Sequence, residues 1–235
     1  MLRVAVRRLA AAAAPKGVPS VPLGAGKASP MMTYPKGLPA ELGKPKSLGG
    51  LVANTLLYAS GMQSRDAVGM RRARESYKSI GSIYDAQKSF FCQSCALPDT
   101  FQSWFLVTHM HIWFVIVRLR AEGEAGKAVS QQIMQLFFDD MEHRMADIGI
   151  TRIDKNMRLL ISQYFGVSLA YDEAMLKNDT DLAEAVWRNV TDMNGSPVEV
   201  ARIVQYMKMQ GARLDKVASE QALQGEFTFA DPALV

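Results

Sequence analysis

The stretch Leu97-Pro98-Asp99-Thr100-Phe101, followed by Trp104-Phe105, Thr108-His109-Met110-His111-Ile112-Trp113 and Arg118-Leu119, decides how this chain folds. Pro98 cannot sit inside a helix, so it sets a boundary. Asp99 can accept the orphan amide hydrogens of a first turn, and Gln102 three residues on completes a capping-box pattern. The spacing predicts a central helix over 99–121. Phe101, Phe105, Ile112 and Leu119 form one stripe on it and Trp104, Val107, His111 and Phe114 another, so burial on most sides is expected. No residue from Thr100 to Val117 is charged. That run only just reaches the ~18–20 residues of a membrane span. Gln102, Ser103, Thr108, His109 and His111 interrupt it, which favours a buried core helix.

Helical spacing continues downstream. Gly123 and Gly126 mark a turn, after which Val129, Ile133, Leu136, Phe137, Asp140, Met141, Arg144 and Ile148 repeat at three-four spacing until Gly149. A third long helix is expected over 152–176, with Met157, Leu160, Tyr164, Val167, Tyr171 and Met175 inward. Two more follow over 181–192 and 197–222, separated by Asn194-Gly195-Ser196-Pro197, whose proline suits a first helical turn. Upstream, an arginine-rich helix is predicted over 66–79, a short one around Ile83, Tyr84, Phe90 and Phe91, and a weaker apolar one over 48–59. A strand is conceivable only at 226–229. These elements predict an all-α, multi-helix bundle over residues 46–235, preceded by a disordered presequence and linker over 1–45.

The charge distribution supports that division. Residues 1–40 carry six Lys or Arg and no acid, so removing them from a net charge of +4 leaves −2 for the remainder. A body so close to neutral lacks the basic face that nucleic-acid binding requires. Leu2, Val6 and Leu9 fall on one side of a helix and Arg3 and Arg7 on another, until Pro15 stops it. An amphipathic, arginine-bearing, acid-free start is the pattern of a mitochondrial presequence. Seven prolines from Pro15 to Pro45 then prevent a packed structure.

Few residues suggest catalysis. Cys92-Gln93-Ser94-Cys95 has the spacing of a redox pair or half a zinc site, but the expected fold offers no strand-to-helix junction and no second ligand pair. His109 and His111 point about 200° apart on a helix, so they cannot chelate together, and neutral core histidines are expected. Asp139 and His143 share a face, without the repeated Glu-x-x-His of a helix-bundle metal site. Asp140 and Arg144, four apart within an apolar stripe, predict an ion pair at the edge of the core or of an interface. No cofactor is expected. Fourteen methionines and clustered aromatics leave an adaptable apolar surface for a membrane or a partner.

The patch from Leu97 to Leu119 is similar to the ubiquinol–cytochrome c chaperone family, and the resemblance spans about residues 70–225. Phe138 with Asp140, Arg144 and Gly149 resembles that family's F-x-D-x-x-x-R-x-x-G helix end. Lys155, Met157, Tyr164-Phe165-Gly166 and Ala170-Tyr171-Asp172 match its next segments, and Leu182-Ala183 with Ala185-Val186-Trp187-Arg188-Asn189 its closing one. The Cys92/Cys95 pair is not part of the pattern. The resemblance implies a non-catalytic, all-helical chaperone, peripheral on the matrix side of the mitochondrial inner membrane, that assists assembly of the reductase. It implies a small helical assembly-factor partner, newly made cytochrome b as client and, in some lineages, contact with the mitochondrial ribosome near the tunnel exit. Trp104, His111, Arg118, Asp140 and Arg144 are the expected partner- or client-binding residues. The competing classes are a permanent subunit of a respiratory complex or mitoribosome, and a thiol-redox protein using Cys92 and Cys95.

Overall fold

The computed structural model describes residues 65–232, with side chains from Gly69 onward. The expected presequence, linker and helix over 48–59 lie outside these residues. Eight α-helices and one π-helical turn occur among the described residues, without a strand. They are α1 (Arg65–Gly81), α2 (Ile83–Ala86), the π turn (Phe90–Ser94), α3 (Phe101–Arg120), α4 (Gly123–Asp147), α5 (Ile153–Leu176), α6 (Asp179–Asn189), α7 (Pro197–Leu214) and α8 (Ser219–Gln224).

The axis of the bundle is α3. Every residue from Ser103 to Leu119 except Ile116 is buried, as a helix apolar on all faces requires. α1 and α4 pack together and against α3, while α5 lies on α6, α6 on α7, and α7 returns to α3. Aromatic rings fill the centre: Phe105 stacks on Phe137 at 5.7 Å between centroids, and Trp113 meets Tyr171 edge-on at 5.2 Å. Among the described residues, no helix is long and apolar enough to cross a membrane.

The start of α3 differs from the expected cap. Thr100, not Asp99, adopts the extended cap conformation, and its hydroxyl accepts from the Ser103 amide at 3.3 Å. Asp99 is taken by Lys88 at 2.7 Å and by the Tyr84 hydroxyl at 3.3 Å. Gln102 has no capping role; its amide reaches across to Gln163 on α5 at 3.1 Å. The helix that follows α6 does carry Pro197 in its first turn, as expected. Ser196 and Glu199 form a reciprocal capping box around Pro197.

Two other expectations are corrected. Ile148 is 59% exposed because α4 ends at Asp147 and its cap turns away from the core stripe. The helix expected over 197–222 is two helices, broken at residues 215–218. There Val217 turns its carbonyl to the Arg118 guanidinium, which donates from Nε at 3.1 Å and from Nη2 at 2.7 Å. A continuous helix would spend that carbonyl internally. The segment after α8 forms no strand and pairs with a side chain: Gln210 donates to and accepts from the backbone of Ala230 at 2.9 and 2.8 Å.

The turn between α3 and α4 needs both glycines for different reasons. Gly123 has φ +62, a conformation open to glycine at little cost. Gly126 lies inside the first turn of α4, where an added Cβ would stand 1.9 Å from the Leu119 carbonyl oxygen. That neighbour is backbone and cannot swing aside. Gly126→Ala should therefore lower stability by about 1–3 kcal/mol, although alanine favours helices. A melting temperature equal to that of the wild type would show that α3 and α4 can separate freely.

Candidate partner-binding site

The five expected binding residues occupy three places rather than one. Trp104, Asp140 and Arg144 come together at the edge of the bundle. The Arg144 guanidinium carbon stands 4.3 Å from the Trp104 ring centroid, a cation–π contact. Its Nε donates to Asp140 Oδ1 at 3.1 Å. The other Asp140 oxygen accepts the Tyr77 hydroxyl at 2.7 Å, so the cluster joins α1, α3 and α4. Burial, followed by the bond to Asp140, pushes the Tyr77 phenol far above its ordinary range. The side chains of Arg144 and Asp140 keep 36% and 26% of their exposure, which leaves one flank of the ion pair open to solvent. Trp104 is buried, and its indole nitrogen has no hydrogen-bond partner among the described residues.

His111 lies elsewhere, in the core towards α7. Its Nδ1 donates to the Val107 carbonyl at 2.7 Å, and its Nε2 stands 2.7 Å from the Tyr206 hydroxyl, which also contacts Gln87 at 2.7 Å. Burial lowers its pKa to about 4, partly offset by the bond to Val107. His109 points the opposite way, towards α5, with Nε2 at 2.8 Å from Ser168 Oγ. Complete burial lowers its pKa to about 3. Both are neutral core histidines that tie α3 to a neighbouring helix.

Arg118 closes the far end of α3. It is an ion-paired cap for Glu122 and for the Val217 carbonyl. Arg120 and Trp113 both reach Asp172 on α5, at 2.8 and 2.9 Å.

The cysteines sit in surroundings unlike a redox centre. Burial pushes the Cys95 thiol up to about 12, which disfavours the thiolate that exchange and metal binding both use. Cys92 Sγ lies 3.5 Å from the Tyr84 hydroxyl. His143 bonds the backbone carbonyl of Asp139, while the Asp139 carboxylate accepts from Gln135. No cluster able to hold a metal occurs among the described residues.

Two surface features went unread in the sequence. One is an apolar face on α5, where Leu159, Phe165 and Leu169 are all more than half exposed. The other is a cleft of about 690 Å³ between the loop entering α3, the middle of α5 and the turn from α6 to α7. The Asn194-Gly195 breaker marked one of its walls as a turn, but nothing in the sequence brought that turn to the loop entering α3 and to α5. Its walls carry non-glycine residues with left-handed backbone: Ala96 at φ 53 and Asp192 at φ 49.

Residues 93–229 match the family model described as "Ubiquinol-cytochrome C chaperone". The chain belongs to that family. The matched stretch holds α3 to α8, and with them Trp104, Asp140, Arg144 and the cleft, but not Tyr77 on α1. The family is described as one of chaperones, not enzymes. The chain is 34% identical over 139 residues to mouse ubiquinol-cytochrome c reductase complex assembly factor 1, covering 58% of this chain and 47% of the mouse protein. The Xenopus laevis protein of that name is 35% identical over 136 residues, 57% of this chain and 68% of its own. Protein CBP3, mitochondrial, of Saccharomyces cerevisiae is 31% identical over 152 residues, 62% of this chain and 45% of the yeast protein. The match thus spans about half the length of the mouse and yeast relatives. The crystal structure of the Cbp3 homolog from Brucella abortus has the same fold, with a TM-score of 0.62 at 23% identity over 77% of this chain and 99% of that one.

Proposed function

We propose that this protein is a mitochondrial assembly chaperone for ubiquinol–cytochrome c reductase, which binds newly made cytochrome b together with a small helical partner. The match of residues 93–229 to the chaperone family carries this reading, and the names of the mouse and frog relatives supply the complex. The site chemistry agrees with a holding role. The buried histidines, tyrosines and Cys95 are all driven towards their neutral forms, so none is poised for proton transfer near neutral pH. The exposed apolar face of α5 is a surface against which an apolar client or partner helix can bury area. Peripheral attachment on the matrix side of the inner membrane, and ribosome contact near the tunnel exit, belong to the same proposal. Haem would enter with the client.

Depletion of this protein, followed by native-gel analysis of respiratory complexes, tests the reading. Cytochrome b should become unstable and assembled reductase should be lost, with the other complexes spared at first. An intact reductase through several rounds of turnover would end the proposal. Stoichiometric retention of the chain in the finished complex would replace it with a structural subunit.

A further inference from the structure

The cleft between the α3 entry loop, α5 and the α6–α7 turn has walls of an unusual kind. Four side-chain amides line it: Gln102, Gln163, Asn189 and Asn194. Each is held by one bond and keeps capacity for another. Gln102 donates to Gln163 Oε1, Asn189 to the Ala185 carbonyl and Asn194 to the Asp192 carbonyl. The oxygens of Gln102, Asn189 and Asn194 and the NH₂ group of Gln163 have no partner among the described side chains and backbone. A primary amide offers the same donor and acceptor as a peptide bond, so such walls match an extended backbone whatever its sequence. Leu97, Leu106 and Val190 add apolar floor for alternate side chains.

The charges favour one sign of ligand. Arg188, Asp192 and Glu199 are the charged residues of the lining. Arg188 is paired with Glu184 at 2.8 Å, and Glu199 is engaged by the Ser196 amide at 2.7 Å. The Asp192 carboxylate is exposed and pairs with no described residue. It stands just beyond the C-terminal end of α6, where the helix dipole also favours a cation. The backbone is left-handed at Asp192 and at Met193, φ 49 and 60. Non-glycine residues in this conformation persist where surrounding structure over-determines them, as at ligand clamps.

We infer that this cleft receives a short, extended, basic segment of the client, its backbone held between the two amide walls and a lysine or arginine set against Asp192. The inference rests on the chaperone reading. A client loop is the occupant, because loops of membrane proteins kept on the side of synthesis are rich in Lys and Arg and so complement Asp192.

The test uses the full chain and fluorescence anisotropy. The probes are synthetic peptides covering the matrix-facing loops of cytochrome b, the same peptides with Lys and Arg replaced by Gln, and a peptide of residues 16–46 of this chain. At least one native loop peptide should bind, and the Gln-substituted version should bind at least tenfold more weakly. Asp192→Lys should weaken the native peptide by a similar factor, and Gln163→Ala several-fold. Asp192→Asn suits the left-handed backbone, so it removes the charge with the fold intact; it should also weaken binding. Lys127→Gln, at an exposed position of α4 that does not line the cleft, should leave this affinity unchanged. Absence of binding by every loop peptide, or equal binding to Asp192→Lys and Asp192→Asn, would overturn the inference. Binding by the 16–46 peptide alone would overturn it too, because the chain's own tail would then be the occupant. Complementation separates this from the wider reading. If Asp192→Lys restores the reductase in depleted cells as well as the wild type does, the cleft assignment fails while the chaperone reading stands.

Discussion

Lowering the pH from 7 to 5 should cost the folded protein about 4 kcal/mol, arising mainly from His109 and His111. Both are completely buried, with pKa values lowered to about 3 and about 4, against about 6.5 in the unfolded chain. Between these values the unfolded state binds protons that the folded state refuses. Stability is therefore full above pH 6.5 and falls as the pH drops towards 4, by about 1.4 kcal/mol per unit for each histidine. By pH 5 each contributes a loss of about 2 kcal/mol, and the melting temperature should fall by roughly 10 °C. His143 runs the other way, since the Asp139 carbonyl raises its pKa, but it is exposed and adds little. Urea denaturation at pH 7.5, 6 and 5 measures the slope. A variant lacking one of the two core histidines should lose half of it. A flat profile between pH 7 and 5 would mean that neither imidazole is held neutral in the fold.

Asp140→Arg should destabilise the protein by about 2–4 kcal/mol, and Asp140→Asn by less than about 1. The difference isolates what Tyr77 needs. Arginine at this position deprives the Tyr77 hydroxyl of its acceptor, which costs about 1–3 kcal/mol for a group largely removed from water. It also sets a second cation beside Arg144. Asparagine keeps an oxygen for Tyr77 and loses only the ion pair with Arg144, whose open flank limits its worth to about 0.5 kcal/mol. If the cluster meets the partner, the asparagine variant should fold normally and still lose co-purifying partner, because an interfacial charge left unpaired can cost roughly 2–5 kcal/mol. Arg144→Gln should do the same, and should also remove the cation from the Trp104 face. Thermal melts and partner recovery, measured on the same preparations, decide the matter. Normal partner recovery with both variants would assign the cluster to folding alone.

Wherever the controlling residues lay within a few turns of each other, the sequence was legible. The charge-free run that makes α3 buried, the place of Pro197 in the first turn of α7 and the opposite orientation of His109 and His111 all follow from spacing along one helix. The ion pair between Asp140 and Arg144 does as well. Residue types at fixed offsets also carried the family resemblance, which the match over residues 93–229 bears out.

Tertiary structure decided what distant residues do to one another. Tyr77 meets Asp140 across 63 positions, and Arg118 meets the Val217 carbonyl across 99. That second contact goes with a break in a run that local periodicity reads as one helix. Asp99 and Gln102 carried a good capping pattern, yet Lys88 and Gln163 claimed them, and the cap passed to Thr100. The cleft draws its walls from three segments, and the local patterns that mark the helix start at Pro98 and the turn at Asn194-Gly195 do not say that these meet α5. Helical periodicity specifies which face of an element is apolar, whereas side-chain partners across elements depend on how those faces cross when the core closes, and that geometry is set by packing of the whole bundle.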